Sequence, residues 1–343
     1  MKLIKKLEFI VIFSAIVSST FLMPLANAGS TLLMELEAVV YDNRFYTFID
    51  MNDQVEVLAD ELEWAEGPVW AESLNTLLFS DVATDKVYSW DEPKGLKLFV
   101  QPSGHEPDKA GTAWRGSNGL AIDNDGALLL AQQSSRRLSL MSTSLGNPTS
   151  KYEVLASKYG GKSLNSPNDL VVHRSGDIYF TDPPYGLDGR ENSSAIELDF
   201  FGVFRLTKNN ELSVINRDLD KPNGIALSTD QSTLYVSNSE VGKEHIIAIE
   251  LDSQGKSKNS RLFFDATKLS SDGPGSTDGM AVHSTDYLFV SIPNGLGILS
   301  PEGKLLGKLA LGQVTNMTFD NKYSTLYITT PKRLLRLKIK GFN

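Results

Sequence analysis

The chain has 343 residues and no cysteine, which excludes a disulfide framework and lipid attachment at a leader cysteine. Histidine is nearly as scarce. The four present, His105, His173, His245 and His283, show no metal-ligand spacing. His173 and His283 share one phase of the repeat described below and are expected as solvent-side turn residues. No Gly-x-Ser-x-Gly nucleophile elbow occurs, and Gly161-Lys162-Ser163 is not a phosphate loop because Ala156 stands where the first glycine belongs. Asp123 to Gly126 resembles part of a calcium loop, but Ala121 occupies the first ligand position. No cluster of lysine and arginine follows residue 30, and the formal charge is −9, so nucleic-acid binding by counterion displacement is excluded. Coiled-coil heptads and membrane stripes are also missing beyond the first residues. The expected state is a soluble monomer or weak dimer with no membrane contact after leader removal.

The leader is the exception to that polarity. Lys2, Lys5 and Lys6 form a basic start, Phe9 to Leu25 is almost wholly apolar, and Ala26-Asn27-Ala28 supplies small residues at the cleavage positions. Ser14, Ser18, Ser19, Thr20 and Pro24 interrupt the run, which is short for a span of ~20 strongly apolar residues. Residues 1–28 therefore read as a cleavable signal peptide of an exported protein, periplasmic or secreted, and 29–343 as the mature domain.

What the sequence does hold is repetition. Six openings recur roughly every 50 residues, with a shorter last step: Glu66-Gly67-Pro68-Val69-Trp70, Asn118-Gly119-Leu120-Ala121-Ile122, Asn168-Asp169-Leu170-Val171-Val172, Asn223-Gly224-Ile225-Ala226-Leu227, Asp278-Gly279-Met280-Ala281-Val282 and Asn316-Met317-Thr318-Phe319. Turn residues follow each opening, as in Asp123-Asn124-Asp125-Gly126. Second strands rich in β-branched and aromatic side chains come next, at residues 76–80, 127–131, 178–181, 233–237, 287–291 and 325–329. With 41% hydrophobic residues, 22% charged and 27 glycines, the pattern predicts an all-β, six-bladed β-propeller with four-stranded antiparallel blades around a central channel. The last unit shows three strands, so Gln54 to Ala59 is expected to supply the fourth and close the ring.

In a propeller the innermost strands line the channel, and residues at one repeat phase sit at one height around one axis. Glu66, Asn118, Asn168, Asn223, Asp278 and Asn316 are thus expected to converge as four amides and two carboxylates at one mouth. Oxygen donors without cysteine or histidine suit one divalent cation, Ca²⁺ first, with Mg²⁺, Mn²⁺ or Zn²⁺ as alternatives. Asn or Asp before Gly also forms plain turns, a reading that fits Asn118 and Asn316 taken singly but does not explain Glu66.

Glu66 to Trp70, Leu164-Asn165-Ser166-Pro167-Asn168-Asp169, Tyr179-Phe180-Thr181-Asp182-Pro183-Pro184-Tyr185-Gly186, Lys221 to Ala226 and Asp278 to Ala281 together resemble the gluconolactonase and regucalcin (senescence marker protein) family of six-bladed propellers, most closely its bacterial gluconolactonase branch. The resemblance implies a metal-dependent hydrolase opening a sugar lactone or related small cyclic ester. It implies metal ligation by Glu66, Asn168, Asn223 and Asp278, substrate contacts from Asn118, Asn168 and Tyr185, and Asp278 as general base or water-orienting group. Two positions depart from the branch: Ala131-Gln132-Gln133-Ser134 replaces a stretch that often carries histidine, and Ser163 stands where a basic residue is common. A phosphotriesterase-like hydrolase, resembling diisopropyl fluorophosphatase, and a non-catalytic metal-stabilised binding propeller are the competing readings.

Overall fold

A computed structural model describes residues 32–104 and 115–340, so the expected leader and His105 lie outside the described residues. The six predicted units are six antiparallel sheets, whose strands step outward from the channel in chain order except where N-terminal strands join blades five and six. Their innermost strands are Ala65–Ala71, Leu120–Ile122, Leu170–Val172, Pro222–Leu227, Met280–Val282 and Asn316–Phe319. Every predicted second strand is present within a residue of its expected bounds, for instance Thr76–Asp81 and Ile178–Asp182. Among the described residues the only helical pieces are short 3₁₀ turns. The core is a set of clusters between neighbouring blades, filled by side chains such as Phe79, Phe180, Phe204 and Phe289 that are wholly out of water.

Ring closure follows the expected route. Gln54–Ala59 pairs antiparallel with Leu334–Lys338, with Leu335 opposite Val57 and Arg336 opposite Glu56. The structure adds what the repeat did not show. Leu32–Glu35 continues outward as a fifth strand on the same blade, and Ala38–Val40 pairs with Leu305–Leu309 of the blade before it. The chain between Ala38–Val40 and Gln54–Ala59 carries Phe45, Phe48 and Ile49 into the contact between blades five and six, each fully buried.

This lacing corrects the expectation for His283. It is 2% exposed rather than solvent-side, because Phe48 folds over it edge-on at 5.2 Å and Phe319 and Tyr323 close the remaining sides. His173, with no such cover, remains half-buried, its Nδ1 within 2.8 Å of the Ser175 hydroxyl.

Two devices set the height of the channel residues. The first is a hydroxyl near the end of the second strand that reaches the neighbouring blade: Ser80 to the Ser117 hydroxyl at 2.9 Å, Thr181 donating to the Asn223 carbonyl at 2.7 Å, and Ser237 donating to the Asp278 carbonyl at 2.9 Å. The second is the glycine after the opening residue. A Cβ on Gly67 would stand 2.2 Å from the Asn118 carbonyl, one on Gly119 2.7 Å from the Asn168 carbonyl, and one on Gly224 2.2 Å from the Asp278 carbonyl. The inner strands touch backbone to backbone at these points, which is why the repeat reads Glu-Gly, Asn-Gly and Asp-Gly. Gly224→Ala is therefore expected to destabilise the fold by about 3 kcal/mol, the scale of forced overpacking, measured as a shift in the urea midpoint against Gly242→Ala. Gly242 has open space around its would-be Cβ but a positive φ of 80°, so it reports backbone strain without the blade contact.

Candidate active site at one channel mouth

A cavity of about 330 Å³ opens at one end of the channel. Glu66, Asn118, Asn168, Asn223 and Asp278 line it, as does Tyr185 from the loop after the second strand of blade three. Each of the first five sits at or just before the start of an innermost strand, on a different blade. Glu66 and Asn223 also lie where the ladder to the second strand shifts register, between Glu66 and Val69 and between Pro222 and Ile225, so their side chains are released from the regular pleat.

Asn316, expected as a sixth member of this ring, reaches the Glu66 carboxyl with a side-chain hydrogen bond but does not line this cavity. It lines the cavity of about 650 Å³ at the other end of the channel, where it donates from Nδ2 to Asp169 Oδ2 at 3.2 Å and accepts the Met317 N–H at 2.8 Å on Oδ1. The cause is strand length: Asn316 is already within the strand and paired with Thr329, whereas the other amides stand at a bulge or ahead of their strands.

The electrostatics are dominated by acids without basic partners. Glu66 is 4% exposed and Asp278 is partly open to the cavity, and neither forms an ion pair among the described residues. Burial pushes the Glu66 carboxyl well above the ordinary carboxylate range, and the charges of Asp278 and Asp169 push it further. Burial, then the charge of Asp169, does the same to Asp278 against the weaker opposing effect of the Gly279 N–H and the Asn223 amide. Asp169, deeper in the channel, is raised by burial to about 6. Three acids held together without a counter-charge cost free energy that a bound cation removes.

The amides point the same way. Asn118 Nδ2 donates to Gln133 Oε1 at 3.2 Å, which fixes the amide and leaves Asn118 Oδ1 buried with no hydrogen-bond partner. An orphaned carbonyl oxygen beside unpaired carboxylates is the donor chemistry of a hard divalent cation. Among the described residues no group of three His, Cys, Asp or Glu side chains is arranged to hold a metal, so a cation here requires the asparagine oxygens as well as Glu66 and Asp278.

Several residues in or beside the cavity were not legible in the sequence. Asp169 occupies the glycine phase of blade three, and only that break in the X-Gly rule marks it. Gln133, within the Ala131 to Ser134 stretch that departs from the branch, holds Asn118. Arg190 and Trp64 come from loops outside the repeat and carry no periodic signal.

Comparison with known proteins adds an independent line. Residues 64–332 match the model of the family described as the SMP-30/gluconolactonase/LRE-like region. A gluconolactonase of Zymomonas mobilis is 37% identical over 309 residues, covering 88% of this chain and 86% of that protein. Regucalcin of Xenopus laevis is 29% identical over 284 residues, covering 80% of this chain and 85% of its own. Among solved structures, a gluconolactonase of Xanthomonas campestris superposes with a TM-score of 0.76 at 29% identity, covering 91% of this chain and 98% of that one.

Proposed function

Because the chain belongs to the SMP-30/gluconolactonase/LRE-like family, we propose that it hydrolyses a sugar lactone, with Asp278 handling the water proton in a site that holds one divalent cation. The observation that carries this reading is the pair of Glu66 and Asp278 carboxylates, without a basic partner among the described residues, lining one cavity with Asn118, Asn168 and Asn223. Glu66, Asn168, Asn223 and Asp278 would hold the cation, Ca²⁺ by donor type. When bound it polarises the lactone carbonyl and offsets negative charge developing on its oxygen.

The chain's own groups supply the rest. Asn118 and Asn168 present amides to the substrate. The Tyr185 ring forms a wall, with its hydroxyl turned toward Ser239 and its ionisation suppressed chiefly by burial. Asp278 orients the attacking water and takes its proton as oxygen bonds to the carbonyl carbon. The ring C–O bond then breaks, and its oxygen leaves as a hydroxyl once protonated. Lys2 to Ala28 supports an exported location, periplasmic or secreted, for the mature protein.

The test is acid release from glucono-1,5-lactone and a panel of other lactones by the mature protein. Chelation is expected to abolish turnover and re-added Ca²⁺ to restore it, with Mg²⁺, Mn²⁺ and Zn²⁺ compared at equal occupancy. Absence of turnover above the spontaneous rate in folded, metal-loaded protein would overturn the lactonase reading in favour of a binding propeller.

A further inference from the structure

Arg190 is the only basic side chain lining the Asp278 cavity among the described residues. It is exposed, and its guanidinium makes no hydrogen bond or ion pair within the described structure. Its neighbours ought to have neutralised it. Glu191 follows it directly and Glu240 stands beside the cavity-lining Ser239 and Val241, yet both carboxylates are taken by Lys221, at 3.2 Å and 2.9 Å. The backbone holds the residue in place at a cost: Arg190 has φ +48°, a left-handed conformation disfavoured for side chains of its kind, secured by its N–H donating to the Leu187 carbonyl at 2.9 Å. On the same loop, Tyr185 lines the cavity together with Asp278 and Arg190.

We propose that Arg190 recognises an anionic substituent at the end of the substrate remote from the reacting carbonyl, so that the preferred substrates are sugar lactones carrying a phosphate or a second carboxylate. This rests on the lactonase reading of the site. The physical case is complementarity inside one small cavity. The floor takes the reacting carbonyl end, while the rim offers an unpaired planar fork that pairs bidentately with phosphate or carboxylate. The two ends of the cavity hold opposite ends of one molecule and orient the ring with its carbonyl toward Asp278.

The experiment compares the wild-type protein with Arg190→Gln and Arg190→Lys on glucono-1,5-lactone, on its 6-phosphate and on a lactone of an aldaric acid bearing a free carboxylate. The two anionic substrates separate phosphate from carboxylate as the favoured group. Arg190→Gln is expected to lower the ratio of kcat/KM for the better anionic substrate over the neutral one by about 10- to 100-fold, the span of a lost charge-assisted bond. Arg190→Lys restores part of it, and the wild-type ratio falls with added salt. An equal change on neutral and anionic lactones, or none, overturns the proposal. Calorimetric binding of 6-phosphogluconate against glucitol gives a readout that does not depend on turnover. Preference for the phosphate lost in Arg190→Gln sustains the role of Arg190 even if no lactone is hydrolysed, and equal binding sinks it even if lactones are.

Discussion

Replacing Asp278 by Asn is expected to lower kcat for lactone hydrolysis by about 10³-fold, within the range that positioned proton transfer contributes, while the thermal unfolding curve stays close to that of the wild type. The reason is the pairing of burial with charge. Asp278 faces the cavity beside Asn223, its backbone is pinned through the Ser237 hydroxyl, and no basic group in the described structure shares its carboxylate. The amide keeps the shape and loses the charge and the basic oxygen. Because Asp278 is also assigned to the cation, bound metal must be measured on the same preparation. Loss of activity with metal retained assigns the defect to the proton-handling role. Loss of both assigns it to ligation, and the parallel variant Asn118→Ala, which leaves both carboxylates in place, then shows what the cavity does with an intact charge set. Activity within tenfold of wild type in folded, metal-loaded Asp278→Asn would overturn the role given to it.

How far such a site is readable from sequence depends on whether its residues obey the repeat. Glu66, Asn118, Asn168, Asn223 and Asp278 do, because one backbone constraint recurs: inner strands meet where a Cβ will not fit, so glycine follows the polar residue on four of the six blades. Periodicity placed these side chains at one mouth before any coordinates. Asn316 touches Glu66 yet opens to the other cavity, because the phase says nothing about whether a strand begins before or after the residue concerned. The loops escaped for a different reason. Arg190 is positioned by a left-handed turn and by Lys221 sequestering two acids, both contacts among segments that share no repeat. His283 misled because the residues that bury it, above all Phe48, come from the N-terminal segment rather than from its own blade. The roles of the five channel residues stay with the proposed chemistry, which their shared cavity supports.

That N-terminal segment carries the second large expected effect. A mature chain shortened to begin at Glu61 is expected not to fold cooperatively, giving a non-sigmoidal thermal transition and rapid proteolysis. A chain beginning at Gln54 is expected to recover a transition at a much lower temperature than the chain beginning at Gly29. The first deletion leaves the last blade with three strands and the edge of Leu334–Lys338 unpaired, so the ring is open; the contact between blades five and six loses Val55 and Val57, and that between blades six and one loses Leu58 and Ala59. The second restores the strand but still lacks Phe45, Phe48 and Ile49, whose burial contributes roughly 1.5–3 kcal/mol each. Their sum is comparable to the ~5–15 kcal/mol that separates a folded domain from its unfolded chain. Phe48→Ala alone is expected to cost about 3–5 kcal/mol and to loosen His283 and Phe289, which share its contacts. If the chain beginning at Glu61 melts at the same temperature as the one beginning at Gly29, the closing strand is dispensable. The ring would then be held by the radial contacts between blades and not by the joining of its two ends.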